Sequence, residues 1–306
     1  GFIMRINTNI SSLGAQEAAQ NTNKSIANSL EKLSTGLKIN KASDDASGLA
    51  IADKLRTQVT SINQGVANGN SAIALLQIAD KSMAEQSKIL DTIKSKLIQA
   101  NTATTSDDGR TAIAKDVTKL LEQLNNIAEQ TNYNGTNLLQ KARSTAAATL
   151  TATRSAQTGL SFQIGENKDD LIKTKTIQAN VAGYKLSSLA IAVRSGATVT
   201  AGITVSDTKR FSRNEASVAQ AAIDKAITQL NGYRGDIGST QNQVESAVRN
   251  LMTQATNIKN AESVIRDVDY AEESANFNKL NIISQAGSYA ISQSNAVSQN
   301  VLRLLQ

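Results

Sequence analysis

The amino-acid sequence predicts a mainly α fold in which long antiparallel helical rods form a coiled-coil bundle, with a small β-hairpin region and paired terminal helices. Its 306 residues include no proline, the residue that most often breaks a long helix. Apolar residues recur at every seventh position in two long segments, which is typical of coiled coils. Only 3% of the residues are aromatic, so small aliphatic side chains have to fill the seams between helices.

Two seven-residue repeats predict the rods. The first repeat contains Leu55, Ile62, Gly69, Leu76, Met83, Leu90 and Leu97. The second repeat contains Ile223, Leu230, Ile237, Val244, Leu251, Ile258 and Ile265. We expect each repeat to form a seam, and at about 1.5 Å per residue the segment 45–100 would be a rod of roughly 80 Å.

A third amphipathic helix and a β-region are predicted between the rods. Apolar residues at helical spacing over 111–130 indicate a helix antiparallel to the first rod, ended by the turn sequence NYNG. The segments LSFQI and IKTKTI alternate apolar or β-branched residues on either side of the turn GENKDD, which predicts a β-hairpin. We expect a second short strand pair within residues 197–205.

Both ends of the chain are predicted to be amphipathic helices, each with its apolar residues on one face. The N-terminal face contains Met4, Ile6, Ile10, Leu13, Ile26, Leu30, Leu33 and Leu37. The C-terminal face contains Leu280, Ile283, Ala290, Val297, Val301 and Leu304, and we expect Leu302 and Leu305 to take part in the same terminal seam. A single amphipathic helix is only marginally stable, so we expect each end to pair with the other end or with neighbouring chains. Repeated contacts of this kind build open helical filaments.

Two adjacent aspartates precede the first rod and raise the question of a chemical site. Ser43, Asp44 and Asp45 lie directly before the apolar-periodic sequence, which predicts an N-cap followed by acidic residues in the first helical turn. Gly36 is predicted to end the preceding helix. The alternative is a two-carboxylate catalytic or metal site, but adjacent residues point to different sides of a helix.

Two other acidic segments are predicted to start helices. Asp107 and Asp108 precede a glycine as in a calcium-binding loop, but the twelfth position is Thr118 rather than the glutamate that such a loop requires. Asp267 and Asp269 are predicted to begin the C-terminal helix, with a solvated charged face as the alternative. In the second rod, three glycines are predicted to allow a close helix approach or a bend: Gly232, Gly235 and Gly238.

Composition excludes several classes of function. The chain has no histidine and no cysteine, so it cannot form a His/Cys zinc site or a His-activated nucleophile. We therefore predict a protein that is not an enzyme and has no cofactor. The net charge of +6 comes from scattered lysines and arginines, so we predict no nucleic-acid binding. No apolar run is long enough for a signal peptide or a membrane helix, so no membrane association is expected.

Four sequence segments together resemble bacterial flagellin, the subunit of the flagellar filament. They are RINTNISSLGAQ at 5–16, LEKLSTGLKINKASDDASGLAIADKLR at 30–56, EQTNYNGTNLL at 129–139 and ANFNKLNIISQAGSYAISQSNAVSQNVLRLL at 275–305. The sequence FQIGEN at 162–167 also resembles the short hairpin of that family's rod domain. The resemblance covers about residues 3–143 and 211–306. Within the family, the chain looks similar to flagellins of the Campylobacter and Helicobacter group.

The resemblance implies a domain organisation and a function. Residues 1–43 and 266–306 would form an inner-tube domain, residues 44–143 and 211–265 the helical rod domain, and residues 144–210 a short variable region. The chain would self-assemble into the filament used for swimming. It would be extracellular and exported without a cleaved signal peptide by the flagellar type III apparatus.

The resemblance also implies partners. A flagellar export chaperone would hold the C-terminal helix, and the filament cap and hook-junction proteins would contact the assembling subunits. Receptor-active relatives carry an arginine-rich segment on the first rod that a Toll-like receptor recognises. Here Asp91, Ile93 and Lys94 stand where arginine, arginine and glutamate are usual, which predicts weak or no recognition. Ser298 replaces a proline common in relatives.

Three alternatives remain beside the filament subunit. A hook-filament junction protein of the same export system has similar ends. An enzyme is the second, because some flagellins carry a zinc protease in the middle region, but the absence of histidine excludes its metal site. A chemoreceptor-like coiled coil is the third, although it would not explain a β-hairpin between two rods.

Overall fold

A computed structural model describes residues 9–141, 150, 154–195, 198–199, 205–206 and 211–306. Its helices are α1 (Ile10–Thr35), α2 (Ala46–Asn101), α3 (Asp107–Gln130), α4 (Ser187–Ser195), α5 (Arg213–Arg266) and α6 (Tyr270–Leu304). Its strands are β1 (Asn132–Tyr133), β2 (Thr136–Asn137), β3 (Ser161–Gln163), β4 (Leu171–Lys173), β5 (Thr198–Val199) and β6 (Val205–Ser206). The strands pair consecutively and antiparallel. The predicted mainly α class is confirmed, and the chain divides into two compact units, Gly1–Thr60 with Ala255–Gln306, and Ser61–Gln254.

The second unit is built around α2 and α5, which run antiparallel. Lys94 Nζ lies 2.6 Å from Asp224 Oδ1 near one end of the pair, and Arg234 Nε lies 2.9 Å from Asp80 Oδ1 further along. The predicted heptad positions of this unit are buried: Ile62, Gly69, Leu76, Met83, Leu90, Leu97, Ile223, Leu230, Ile237, Val244 and Leu251. In the first unit, the remaining positions are half-buried: Leu55, Ile258 and Ile265.

Helix α3 packs antiparallel to α2 in the same unit, as the sequence predicts. Ser106 is its N-cap, since the Ser106 side chain accepts a hydrogen bond from the Gly109 amide. The Arg110 guanidinium donates back to the carbonyl of Ala100 in the last turn of α2 and to that of Thr102 just after the helix, and end-of-helix carbonyls need such donors because the helix supplies none. Ser106 therefore caps the start of α3 and Arg110 caps the end of α2, so the loop between the helices has a structural role rather than that of a calcium site.

A buried polar cluster joins α2, α3 and the segment before α4. Gln86 Nε2 donates to the carbonyls of Leu124 (3.2 Å) and Ala179 (2.7 Å), and the Tyr184 hydroxyl donates to Gln86 Oε1 at 2.9 Å. Burial raises the pKa of Tyr184 well above its usual value, because the charged phenolate would lose its hydration. This segment contributes to the core, and the sequence analysis did not predict its docking or α4.

The predicted β-hairpin is confirmed as β3 and β4, with Phe162 opposite Ile172. It packs on α2, where Asn68 Nδ2 donates to the Gln163 carbonyl at 2.8 Å. A Cβ at Gly65 would collide with the carbonyl of residue 164, so the hairpin lies directly against the helix backbone. The second predicted strand pair is also present, as β5 and β6.

The start of α2 differs in detail from the prediction. Asp45, not Ser43, is the N-cap residue, because Asp45 Oδ1 accepts a hydrogen bond from the Gly48 amide at 2.9 Å. Asp44 closes the preceding turn instead, and the hydrogen bond from the Asn40 amide lowers the pKa of Asp44. The prediction of Ser43 as N-cap is wrong because that residue lies within the turn. The prediction that both aspartates lie in the first turn of α2 is wrong too, since that turn contains no acidic residue.

The junction between α5 and α6 is also only partly as predicted. Asp269 is the N-cap of α6, since its side chain accepts hydrogen bonds from the amides of residues 271 and 272. Asp267 does not start the helix, because it pairs with Leu37 in an isolated antiparallel bridge. Gly36 ends α1 in the left-handed conformation (φ 73°), as predicted.

The three glycines of α5 do not serve a close approach within the chain. A Cβ built at Gly232, Gly235 or Gly238 meets nothing within 4 Å, so the predicted close helix contact is wrong for the described residues. Tight packing occurs instead at Gly69 of α2, where a Cβ would collide with a methyl group of Val248. That contact fixes the distance between α2 and α5 at this level.

Candidate functional site

The terminal helices α1 and α6 pair antiparallel in the first unit. At one end, Asn9 Nδ2 donates to Ser298 Oγ at 2.8 Å. At the other end, Ser29 Oγ donates to Glu273 Oε1 at 2.6 Å. Polar side chains therefore set the register of the pair, because these buried or half-buried groups would lose hydrogen bonds if one helix slid along the other.

The seam between the two helices is made mainly of small or polar residues. The less exposed positions of α1 follow three- and four-residue steps: Ser12, Ala15, Ala19, Thr22, Ile26, Ser29 and Leu33. The matching positions of α6 are Glu273, Phe277, Leu280, Ser284, Gly287, Ile291, Ser294, Ser298 and Val301. Hydrophobic stabilisation scales with the apolar area removed from water, so this seam stabilises the pair less than a leucine seam would.

The predicted single apolar face of α1 is wrong, because its residues divide between two faces. Ile26 and Leu33 lie in the seam together with Ala19, at the same seven-residue spacing. Ile10, Leu13 and Leu30 point away from it and are 69%, 55% and 52% exposed. Of the other predicted residues, Leu37 is half-buried after the helix, and Met4 and Ile6 lie outside the described residues.

Helix α6 shows the same division. Leu280 and Val301 lie in the seam, whereas Ile283, Ala290, Val297, Leu302, Leu304 and Leu305 are exposed, so the predicted single face is wrong here too. Ile283, Ala290, Val297 and Leu304 recur every seven residues, and Ile282 and Tyr289 lie beside them. We call these six residues the outer stripe. Four of its members are more than half exposed: Ile282, Tyr289, Val297 and Leu304.

Sequence reasoning missed two members of the outer stripe, Ile282 and Tyr289. The sequence does carry a signal for them, because Ile282 and Tyr289 are seven residues apart and directly precede Ile283 and Ala290. It was missed because the largest apolar residues were assigned to the seam within the chain. Serines, alanines and a glycine occupy many positions of that seam instead.

The outer stripe is almost free of charge. No charged residue occurs in α6 between Lys279 and Arg303. A neighbouring helix could approach this surface without removing water from any ion, and such removal is the main cost of packing a charged surface. Contiguous apolar surface that remains exposed in a folded unit marks an interaction site.

The segment predicted to bear on innate recognition is only partly on the surface. Asp91 is exposed, and Lys94 is half-buried and paired with Asp224 of α5. Ile93 is fully buried in the seam of α2 (0% exposed).

Among the described residues, no group of three or more His, Cys, Asp or Glu side chains could hold a metal ion. The same part of the chain has no helix that is long and apolar enough to cross a membrane. An open groove between α2 and α3 has a floor of Ile78, Ile89 and Ile127, with Glu85 as its one carboxylate. A lone carboxylate lacks the partner that acid–base chemistry needs. The outer stripe is therefore the leading candidate for a functional surface.

Comparison with protein families gives two matches. The family model of the bacterial flagellin N-terminal helical region matches residues 6–144. The model of the bacterial flagellin C-terminal helical region matches residues 220–305. The second match contains the whole outer stripe, and the first contains α1, α2 and α3.

Individual proteins are similar over nearly the whole chain. Flagellin of Bacillus subtilis is 34% identical over 313 residues, covering 99% of this chain and 100% of the relative. The flagellar filament 33 kDa core protein of Treponema phagedenis is 33% identical, with the same coverage. Flagellin B of Helicobacter pylori is 27% identical over 511 aligned residues, covering 99% of both chains. The crystal structure of Bacillus cereus flagellin has a TM-score of 0.44 and 22% identity, covering 64% of this chain and 94% of that one.

Proposed function

Because the chain belongs to the bacterial flagellin family, we propose that the exposed apolar residues of α1 and α6 join copies of it in the filament. Flagellin is a structural protein and not an enzyme. The chain is a structural subunit that self-assembles into the extracellular flagellar filament, as its similarity to flagellins and filament core proteins supports. Nothing in these comparisons favours the hook-junction alternative.

One observation carries the assignment of the assembly surface. After α1 and α6 have paired, more large apolar side chains remain in water on the two helices than lie in the seam between them, where most positions are small or polar. The packing within one chain therefore leaves the more apolar surface uncovered. Covering that surface requires other copies, and each copy presents the same surface to the next.

We further propose the domain organisation that the family resemblance implies. Residues 1–43 and 266–306 form the inner-tube domain, and residues 44–143 and 211–265 form the rod domain. Residues 144–210 are a short variable region. The 511 aligned residues of the Helicobacter relative exceed the 306 of this chain, which supports a shorter middle region here.

We also propose the partners other than further copies of the chain. An export chaperone would cover the outer stripe of α6 before assembly, because an uncharged apolar surface would otherwise aggregate. The cap and hook-junction proteins would contact subunits at the filament ends, and export would occur without a cleaved signal peptide. Weak Toll-like receptor recognition is supported by Asp91 and by Lys94, whose ammonium group is paired with Asp224.

Seeded polymerisation tests the assembly surface. We expect Leu302→Asp with Leu305→Asp to abolish growth on short filament seeds, because two charges would enter an apolar contact. The matched control, Ser288→Asp with Gln299→Asp, adds the same charge at exposed polar positions of α6 that are not one turn away from any outer-stripe residue, and it should polymerise. Sedimentation measures the polymer, and circular dichroism checks that the helices remain folded. Normal filaments from the leucine variant would contradict the assignment.

A further inference from the structure

We propose that Asn134 is a site of spontaneous deamidation, which the fold selects from chemically similar sites. Deamidation is favoured where glycine follows asparagine, because glycine has no side chain to hinder ring closure. The chain contains three such pairs, Asn68–Gly69, Asn134–Gly135 and Asn231–Gly232. Their backbones differ, so the three pairs should react at different rates in the folded chain.

The reaction needs only water. The main-chain nitrogen of Gly135 attacks the side-chain carbonyl carbon Cγ of Asn134 and loses its proton, while the side-chain nitrogen leaves as ammonia. The product is a five-membered succinimide. Water then opens either carbonyl of the ring, giving aspartate or isoaspartate, and no electron is transferred to or from the protein.

The Asn134 pair lies where the backbone can reach the reactive geometry. Residues 132 and 133 pair with 137 and 136, so Asn134 and Gly135 form a two-residue turn with positive φ angles of 51° and 84°. Both residues are exposed. Hairpins of only two strands are marginally stable, so this turn can open at low cost.

Hydrogen bonding leaves both reacting groups accessible. The Gly135 amide donates to the exposed side chain of Asn132 through a long contact of 3.3 Å. The side chain of Asn134 makes no hydrogen bond within the part of the chain that the structure describes. Neither group therefore has to break a strong interaction before the nitrogen attacks.

The other two pairs are protected by helices. The amides of Gly69 and Gly232 lie inside α2 and α5, so the attack would require local opening of each helix. Asn68 is held further, because its side-chain amide donates to the Gln163 carbonyl at 2.8 Å. The expected order of rates is Asn134, then Asn231, then Asn68.

The two products differ in their effect on the hairpin. Aspartate tolerates the left-handed conformation of residue 134, so the turn can persist with one added negative charge. Isoaspartate inserts an additional methylene group into the main chain, which a two-residue turn cannot accommodate without losing its strand register. Isoaspartate should therefore open the β1–β2 hairpin directly after α3.

Ageing the purified full chain at mildly alkaline pH and mapping its peptides by mass spectrometry tests the proposal. In the folded chain, we expect Asn134 to convert on the order of tenfold faster than Asn231, because only the latter requires helix opening. In concentrated guanidinium chloride, all three pairs should convert at similar rates. Isoaspartate at residue 134 would be identified by electron-transfer fragmentation.

Two variants act as controls. Asn134→Asp starts as the product and should release no ammonia at that position, while Asn231 and Asn68 behave as in the parent chain. Gly232→Ala should slow the reaction at Asn231 in guanidinium chloride without changing Asn134. Equal rates for Asn134 and Asn231 in the folded chain would overturn the proposal, as would protection of Asn134 as strong as that of Asn68.

Discussion

The start of α2 depends on two neighbouring aspartates with separate tasks. Asp45 caps the helix by accepting from the Gly48 amide, and Asp44 holds the turn before it through the amides of residues 40 and 41. The sequence predicted a cap because acidic residues precede an apolar repeat. It could not choose the residue, because the choice depends on where the preceding turn closes.

We expect Asp45→Ala to lower the free energy of unfolding by about 1 kcal/mol, the usual effect of losing an N-cap side chain. Ser43→Ala is the matched control and should change it by less than about 0.5 kcal/mol, since that side chain is exposed in a turn. Urea denaturation followed by circular dichroism measures both changes. An equal loss in the two variants would contradict the assignment of the cap.

The Tyr184 hydroxyl should be important to the buried cluster. Removing it by Tyr184→Phe leaves the buried Oε1 of Gln86 without its donor, so we expect a loss of about 1–3 kcal/mol near neutral pH. Denaturant unfolding of the parent and variant chains measures this difference. A change of less than a few tenths of a kcal/mol would contradict a buried, bonded hydroxyl.

The same tyrosine should make stability depend on alkaline pH. Its pKa is raised in the folded chain, so the unfolded chain loses the proton first as pH rises through 10.0. Fewer protons are then bound in the unfolded state, and the stability contributed by Tyr184 is present below that pH and lost above it. Unfolding measured from pH 8 to 11 should show a steeper decline for the parent chain than for Tyr184→Phe. Parallel declines would contradict this assignment.

Among the elements, the rods were predictable and the terminal helices only partly so. Large aliphatic residues such as Leu76 and Ile223 form the rod seams, and apolar periodicity detects these directly. In α1, the seam includes Ser12 and Ala19 beside Ile26 and Leu33, so large apolar residues occur on both faces and do not identify the seam. Helix α4 is only nine residues long, too short for a periodic signal.

Glycines within the two long helices should respond oppositely to the same substitution. Gly232→Ala should raise the free energy of unfolding by about 0.5–1 kcal/mol, because the added methyl meets open space and alanine favours the helix. Gly69→Ala should lower it by about 1–3 kcal/mol, because the methyl collides with Val248. Thermal and urea unfolding measure both. Stabilisation by Gly69→Ala would contradict the close packing of α2 and α5.

For the whole molecule, the central claim is that a single chain leaves its assembly surface uncovered. The second unit buries its apolar heptad positions, so the seams of its long helices are covered within one chain. The first unit places mainly small or polar residues between α1 and α6 and leaves the outer stripe in water. Sequence patterns revealed two terminal amphipathic helices, but which face meets a neighbour depends on the pairing within the chain.

Chemical protection of one outer-stripe position tests this claim most directly. The parent chain has no cysteine, so Val297→Cys introduces a single thiol at a position that is 61% exposed. We predict that a maleimide reagent labels this thiol in the unassembled chain, fails to label it in sedimented filaments, and labels it again after the filaments are dissociated. Equal labelling of assembled and unassembled chains would show that the outer stripe remains in water, and would contradict its role in joining subunits.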